Sequence, residues 1–337
     1  MELSPNPYNN LLHPCICNAY NSCLELERCD SWTVYEEDAD DFQISPVTKL
    51  SPKVVARCLG QTLLNMPSEN GRNSLANDIN SCNSPGKLAS LTLLVIEGMV
   101  RLFYNPKGLG QVELQKHSPR PSLTFQAGRI TKKAMKDPEA RNVKTLVQAR
   151  DNYRCIISKD VDTQTTIAGL TSWDDEEPSS ETYLSHILDP FNIKSIGDSE
   201  YSDGPIKGNE KIKEWASAAA TIVKAEIALV ELHRAHIHRA ENSFISSITV
   251  HAHFDSLRVA LSPVPNAELP HTYRVHTYPP NRHRSYRVPT EIVLVDHSGG
   301  QVPMPNPRYF ELHSICAKFM HLSGASKVAE KLLRNLE

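Results

Sequence analysis

The chain has 337 residues with 40% hydrophobic and 22% charged side chains, which is ordinary globular composition and enough length for two domains. Its net charge of −3 argues against a uniformly basic nucleic-acid binder. The charge is uneven, however: residues 1–50 carry nine acidic and two basic side chains, a net of −7, which leaves +4 on the remainder.

The opening MELSPNPYNN has no charged start followed by an apolar stretch and cleavage site, so no secretory signal is expected. An intracellular chain, nuclear or cytoplasmic, is the expectation, with its eight cysteines as thiols. The most apolar run, 88–96, is interrupted by Glu97 and Arg101. A bilayer span needs about 20 apolar residues, so a buried helix and no membrane contact are expected.

Residues 1–50 read as an irregular acidic segment, with the run 36–41 as a solvated loop. Cys15, Cys17, Cys23 and Cys29 lack the paired C-x2-C knuckles of a zinc site and read as small buried or half-buried thiols. From Ser51, Val54, Val55, Cys58, Leu59, Leu63 and Leu64 recur at helical steps. A break at 67–71 and two further helices, 74–82 and 86–104, follow. Residues 105–128 form a Pro/Gly-rich connector, which closes a helical region spanning 51–128.

The stretch 131–150 is helical and basic. Lys132, Lys133, Lys136, Arg141, Lys144 and Arg150 either touch phosphates or form a solvated face. Strands are expected at 153–157, 163–171 and 184–188, then a strong helix at 210–233 with an apolar face of Ile212, Trp215, Ala219, Ile222, Ile227 and Val230. His233, His236 and His238 form a local cluster, either a metal site or a polar helix end. Later strands are expected at 258–261, 272–278 and 291–295, then a helix from Pro307 faced by Phe310, Ile315, Cys316, Phe319 and Met320. Gly324 punctuates that helix, and 327–336 is a final helical segment.

Six residues in order suggest chemistry: Cys155, His186, Asn242, His251 nine residues further on, and the pair Phe254-Asp255. Phosphodiester hydrolysis needs an activated water, a stabilised pentavalent phosphate and a neutralised leaving oxygen. A histidine, with an ordinary pKa of ~6.5, suits the base. A hard cation such as Mg²⁺ needs few protein oxygens, whereas Zn²⁺ prefers nitrogen and sulfur. The stretch 271–287 interleaves Arg274, Arg282, Arg284 and Arg287 with Tyr273, Tyr278 and Tyr286. It reads either as a phosphate track with stacked bases or as a basic hairpin with packed tyrosines.

The segments Arg150-Asp151-Asn152-Tyr153-Arg154-Cys155, Ser185-His186-Ile187, His238-Arg239-Ala240-Glu241-Asn242 and His251-Ala252-His253-Phe254-Asp255-Ser256-Leu257 follow one another. This order resembles a fungal branch of the HNH nucleases, whose motifs run "RDxYRC", "(A/S)HI" and "HRxEN…HxxFDSL". The resemblance is specific only after about residue 150. It implies a strand–strand–helix metal core, with His186 at a strand end as the base. It also implies Asn242 between the second strand and the helix, holding that loop or ligating the metal. His251 would ligate the metal or touch the scissile phosphate, and His186 is also a candidate ligand. Phe254 would pack on the strands, and Asp255 and Cys155 would be structural. Cys155 is followed by Ser158 where many relatives have a second cysteine, so no structural zinc is expected. Many relatives place a metal-binding Asp just before the first His; here it is Ser185. That leaves His186, Asp189 or Asp255 to supply the first ligand.

The expected architecture is α+β: an acidic segment (1–50), a helical region (51–128), an HNH-like core (129–262) with a helical insertion (210–236), and a C-terminal β segment with helices (263–337). The expected function is a metal-dependent endonuclease acting on DNA, with Mg²⁺, Mn²⁺ or Zn²⁺. The alternative is a non-cutting protein of the same fold that binds nucleic acid or protein.

Overall fold

A computed structural model describes residues 2–31, 50–66, 69–103, 140–171, 174, 176–188, 239–326 and 328. The acidic run at 36–41, the connector 105–128, Lys132, Lys133, Lys136, Asp189, the expected helix at 210–233 and the His233/His236/His238 group lie outside the described residues. So does the segment 327–336 apart from residue 328. The chain is α+β and divides into two units. The first comprises 1–102, 198–229 and 315–337, and the second 103–197 and 230–314. Among the described residues, no helix is long and apolar enough to cross a membrane.

The first unit is helical. Helix α1 (Pro14–Glu27) packs on α2 (Pro52–Asn65) and α3 (Glu69–Ser81), and α4 (Pro85–Phe103) follows. A helix thus stands where irregular chain was expected. Its buried stripe is Ile16, Cys17, Ala19, Tyr20 and Cys23, at helical spacing. Cysteine, alanine and tyrosine supply the apolar face that leucine and valine supply elsewhere. All eight cysteines are free thiols. Burial pushes the Cys23 and Cys58 thiols up to about 12, so both are inert packing groups. Ser51 caps α2 by accepting from the Val54 N–H, and Pro52 fills a first-turn position. Leu59, Leu63 and Leu75 are fully buried, each worth about 1.5–3 kcal/mol. Helix α3 starts earlier than expected, with Asn70 and Gly71 inside its first turn and Glu69 at its positive end.

In the second unit, α5 (Ala140–Arg150) leads into turns, not the strand expected at 153–157. Asn152, Tyr153 and Lys159 take positive φ there, and only an isolated bridge joins Arg154 to Val161. Strand β1 (Val161–Asp162) pairs in parallel with β2 (Ser179–Ser180). The strand expected at 163–171 is instead the short helix α6 (Thr163–Ile167), because the Asp162 carboxylate caps it by accepting from the Thr165 N–H at 2.8 Å.

Strand β3 (Thr182–His186) pairs antiparallel with β4 (Ser243–Ser247), in a register that sets His186 opposite Ser243. A 3-10 turn (Ala240–Asn242) enters β4, and α7 (Ile248–Asp255) leaves it directly. Alternation places Tyr183, Ser185, Phe244 and Ser246 on the α7 side of this hairpin. Leu184 and Ile245 pack the other side with Val143, Leu146, Val147, Ala240 and Val302. A second antiparallel sheet runs β5 (Val259–Pro263), β6 (Thr272–Thr277) and β7 (Glu291–Val293), with a short helix α8 (His283–Tyr286) between the last two strands. Helix α9 (Pro307–Ser323) carries the expected face, with Phe310, Ile315, Cys316, Phe319 and Met320 all buried, and Gly324 follows at φ +85°.

Helix α9 also buries His313, which stacks on Phe254 with ring centroids 3.8 Å apart, its Nε2 3.2 Å from the Phe254 carbonyl. Burial holds His313 down to about 3 and His251 down to about 4. Both lie below the unfolded value of about 6.5, so the unfolded chain takes up protons that the folded chain refuses. Stability is therefore complete above about pH 6.5 and falls as pH drops towards 4, by about 1 kcal/mol per unit from each histidine. Urea midpoints at pH 7, 6 and 5 should decline, and His313→Gln should decline less steeply. Parallel slopes for the two proteins would contradict this.

Candidate active site

The hairpin and α7 bring together one buried polar chain. Ser185 is fully buried, and its hydroxyl lies 2.7 Å from His251 Nδ1 and 2.5 Å from the Ser246 hydroxyl. The other ring nitrogen of His251, Nε2, lies 3.4 Å from Asp255 Oδ2, one helical turn on. Tyr183 stacks on the imidazole at 5.8 Å and 17°. His251 is 7% exposed. Its depressed pKa of about 4 leaves it neutral at pH 7, so burial outweighs the nearby Asp255 and their contact is not an ion pair. A neutral imidazole held at Nδ1, with Nε2 beside a carboxylate, has the orientation and charge state of a metal ligand.

Asn242 belongs to a different network. It is fully buried, and its amide closes a two-point clasp on Leu188: Oδ1 accepts from the Leu188 N–H at 3.0 Å and Nδ2 donates to the Leu188 carbonyl at 3.1 Å. The Ile187 N–H donates to the Asn242 carbonyl at 2.8 Å. Of the two roles open to Asn242, holding the chain just after His186 is the one its amide contacts fit. Its position also differs from the expected one: Asn242 precedes β4, because pairing with His186 begins at Ser243. Asn242→Ala should cost about 2–3 kcal/mol, since it strands a buried N–H and C=O of Leu188. A urea midpoint unchanged within about 0.5 kcal/mol would show that the clasp is dispensable.

His186 is the last residue of β3 and half-buried. Its Cβ leaves the sheet on the side opposite Ser185. His186, Asn242 and His251 therefore do not form one donor cluster, and no group of three His, Cys, Asp or Glu side chains able to hold a metal occurs among the described residues. What the structure adds is Asp255 beside Nε2 and Ser185 behind Nδ1. The i, i+4 spacing of His251 and Asp255 is the sequence signal for the first. Phe254 is buried between Phe244 and Phe310, with ring centroids 4.9 and 6.3 Å away. Cys155 is fully buried, its sulfur accepting from the Ser158 N–H.

Arg150 cannot reach a phosphate. It is fully buried, and its guanidinium holds both Asp151 carboxylate oxygens and the carbonyls of Ala240, Ser243 and Pro303. Asp151 in turn accepts from the Ile245 N–H at 2.9 Å. This pair ties the end of α5 to both ends of the turn that carries Asn242. Lys144 is half-buried, and burial lowers its pKa.

Arg274, Arg282, Arg284 and Arg287 are all exposed. The tyrosines among them are packing groups. Tyr273 is fully buried against Phe310, Tyr278 is 6% exposed, and Tyr286 lies on the His253 ring at 3.9 Å. Of the two readings of this stretch, these contacts fit the one with packed tyrosines. Arg274 faces Glu291 across β6 and β7 and borders an open cavity of about 570 Å³.

Comparisons with family models, with curated proteins and with solved structures gave no match.

Proposed function

We propose that the chain is a divalent-metal phosphodiesterase of the HNH type that nicks DNA. The observation that carries this is the neutral His251 imidazole, fixed at Nδ1 by Ser185 and presenting Nε2 beside the Asp255 carboxylate. His251 Nε2 and Asp255 are the two donors that would hold the cation. Mg²⁺ or Mn²⁺ suits so small a set, since hard cations complete their shell with water and phosphate. Zn²⁺ prefers a fuller nitrogen and sulfur set. The bound cation supplies Lewis-acid stabilisation of charge developing on the phosphate.

The chain's own residues do the rest. His186, the last residue of β3, is the base that the family resemblance implies, and its place on the face opposite Ser185 sets it apart from the two cation donors. The Asn242 clasp fixes the backbone that follows His186, and so the position of its ring. Ser185 sets the His251 ring plane. Arg274, Arg282, Arg284 and Arg287 offer salt-sensitive contacts to the phosphate backbone without base stacking.

A second reading is a non-cutting protein of the same build. It is favoured by Ser185 where the wider family has a carboxylate, and by the two-donor set. Conversion of supercoiled plasmid to nicked circles in Mg²⁺ or Mn²⁺, blocked by EDTA, supports the nuclease. An absence of nicking in Mg²⁺, Mn²⁺ and Zn²⁺ by folded protein replaces it with the second reading.

A further inference from the structure

Strand β6 outruns its neighbour. It spans Thr272–Thr277, but its pairing with β7 stops at Arg274 opposite Glu291. The chain between the two strands folds beside the edge left over, and the open cavity of about 570 Å³ lies there. Hydrogen bonds fix its walls. The Val275 N–H donates to the Thr290 carbonyl at 2.9 Å, His283 Nε2–H donates to the Val275 carbonyl at 2.9 Å, and the Arg282 N–H donates to the Thr277 hydroxyl at 3.0 Å. Tyr286, whose hydroxyl donates to the Tyr278 carbonyl at 3.0 Å, lies on His253 of α7 and ties the cavity wall to that helix. The site is thus formed before any ligand arrives.

Its rim is cationic. Arg274 lines the cavity, and Arg282, Arg284 and Arg287 stand exposed on the adjoining chain. None of the four guanidiniums makes a hydrogen bond or ion pair among the described residues, and Arg274 makes none even with Glu291, the carboxylate across from it. Planar cationic forks without a protein partner suit phosphate oxygens. The volume exceeds what a bare phosphate needs and falls within the range of about 300–1,000 Å³ usual for small-molecule sites. Pro280 and Tyr278 supply an apolar wall, and Asn281 and Thr290 supply polar atoms. A base held in a duplex stack cannot enter such a cavity unless it is first unpaired and turned out. We propose that the cavity seats one unpaired nucleotide of the substrate strand, its phosphate on Arg274 and its base against Pro280, so that the protein takes single-stranded DNA in preference to continuous duplex. The proposal rests on the DNA reading above and adds the substrate class. Negative supercoiling favours strand separation, so plasmid remains a substrate.

The test is the affinity of the full-length protein, in EDTA, for a fluorescent single-stranded oligonucleotide and for its blunt-ended duplex. EDTA separates binding from cutting. The single strand should bind about tenfold more tightly, the effect of one charge-assisted phosphate contact that the duplex cannot make. Arg274→Ala should abolish that preference. Arg287→Ala, outside the cavity, should weaken both forms alike and keep it. The mononucleotide dAMP should displace the single strand at lower concentration than inorganic phosphate does. Equal affinity for the two forms, or a preference that survives Arg274→Ala, overturns the proposal. Equal competition by phosphate and dAMP also overturns it, in favour of a bare anion site. Failure to bind either DNA overturns the DNA reading with it. A preference that depends on Arg274 in a protein that never nicks supports the cavity and removes only the nuclease.

Discussion

Arg150→Met is expected to destabilise the protein by about 3–5 kcal/mol, the typical cost of leaving a buried charge without its partner. Arg150 is fully buried, and the substitution strands the Asp151 carboxylate and the carbonyls of Ala240, Ser243 and Pro303 together. Burial already raises the Asp151 pKa despite the neighbouring guanidinium, and loss of that cation would raise it further. Arg150→Lys should also be poorly tolerated, because one ammonium has three donors where the guanidinium uses a planar fork to four groups. The double variant Arg150→Met, Asp151→Asn should recover part of the loss, since it removes the unpaired charge. Urea denaturation of the three variants measures this. A single-variant loss under about 1 kcal/mol would show that the pair is not the anchor of the β4 entry.

Asp255→Asn is expected to lower the nicking rate about 10²-fold or more while leaving the fold intact. The change is isosteric at a half-buried helix position, so the unfolding midpoint should shift by no more than about 0.5 kcal/mol. The rate loss follows from removing one of two donors beside His251 Nε2, worth several kcal/mol of transition-state stabilisation at about 1.36 kcal/mol per tenfold. Raising Mg²⁺ should restore part of the rate if Asp255 acts in holding the cation. A variant as active as the parent at limiting Mg²⁺ would remove Asp255 from the site.

The legible elements are those with strong aliphatic periodicity. Val55, Leu59 and Leu63 announce α2, and Phe310, Ile315 and Phe319 announce α9. The strands carrying Ser185-His186 and Thr272–Thr277 were equally readable from their β-rich composition. Helix α1 was hidden because its buried stripe is built from cysteine, alanine and tyrosine. Tyr-Arg-Cys-Ile-Ile at 153–157 reads as a strand, but the buried Arg150–Asp151 pair and two positive-φ residues turn the chain there. Asp162 converts a threonine-rich stretch to a helix by capping it, a local signal that β-propensity masked.

The candidate site divides in the same way. His186 at a strand end and a buried Phe254 are what the family resemblance implies, and His251 on a helix agrees with the pattern after Asn242. The contacts of Ser185 with Ser246 and His251 join residues 61 and 66 positions apart, which no local period encodes. Asn242 shows the same limit, because whether its amide faced a metal or Leu188, 54 positions away, is decided by strand pairing alone.

The central claim is that a cation held at His251 and Asp255 supports the nicking of DNA. Its most direct test is plasmid nicking in Mg²⁺ or Mn²⁺ by the parent protein and by His251→Ala of verified fold. The account predicts nicking by the parent and a rate about 10²-fold or more lower in the variant, at about 1.36 kcal/mol per tenfold. Equal nicking by the two proteins would contradict it.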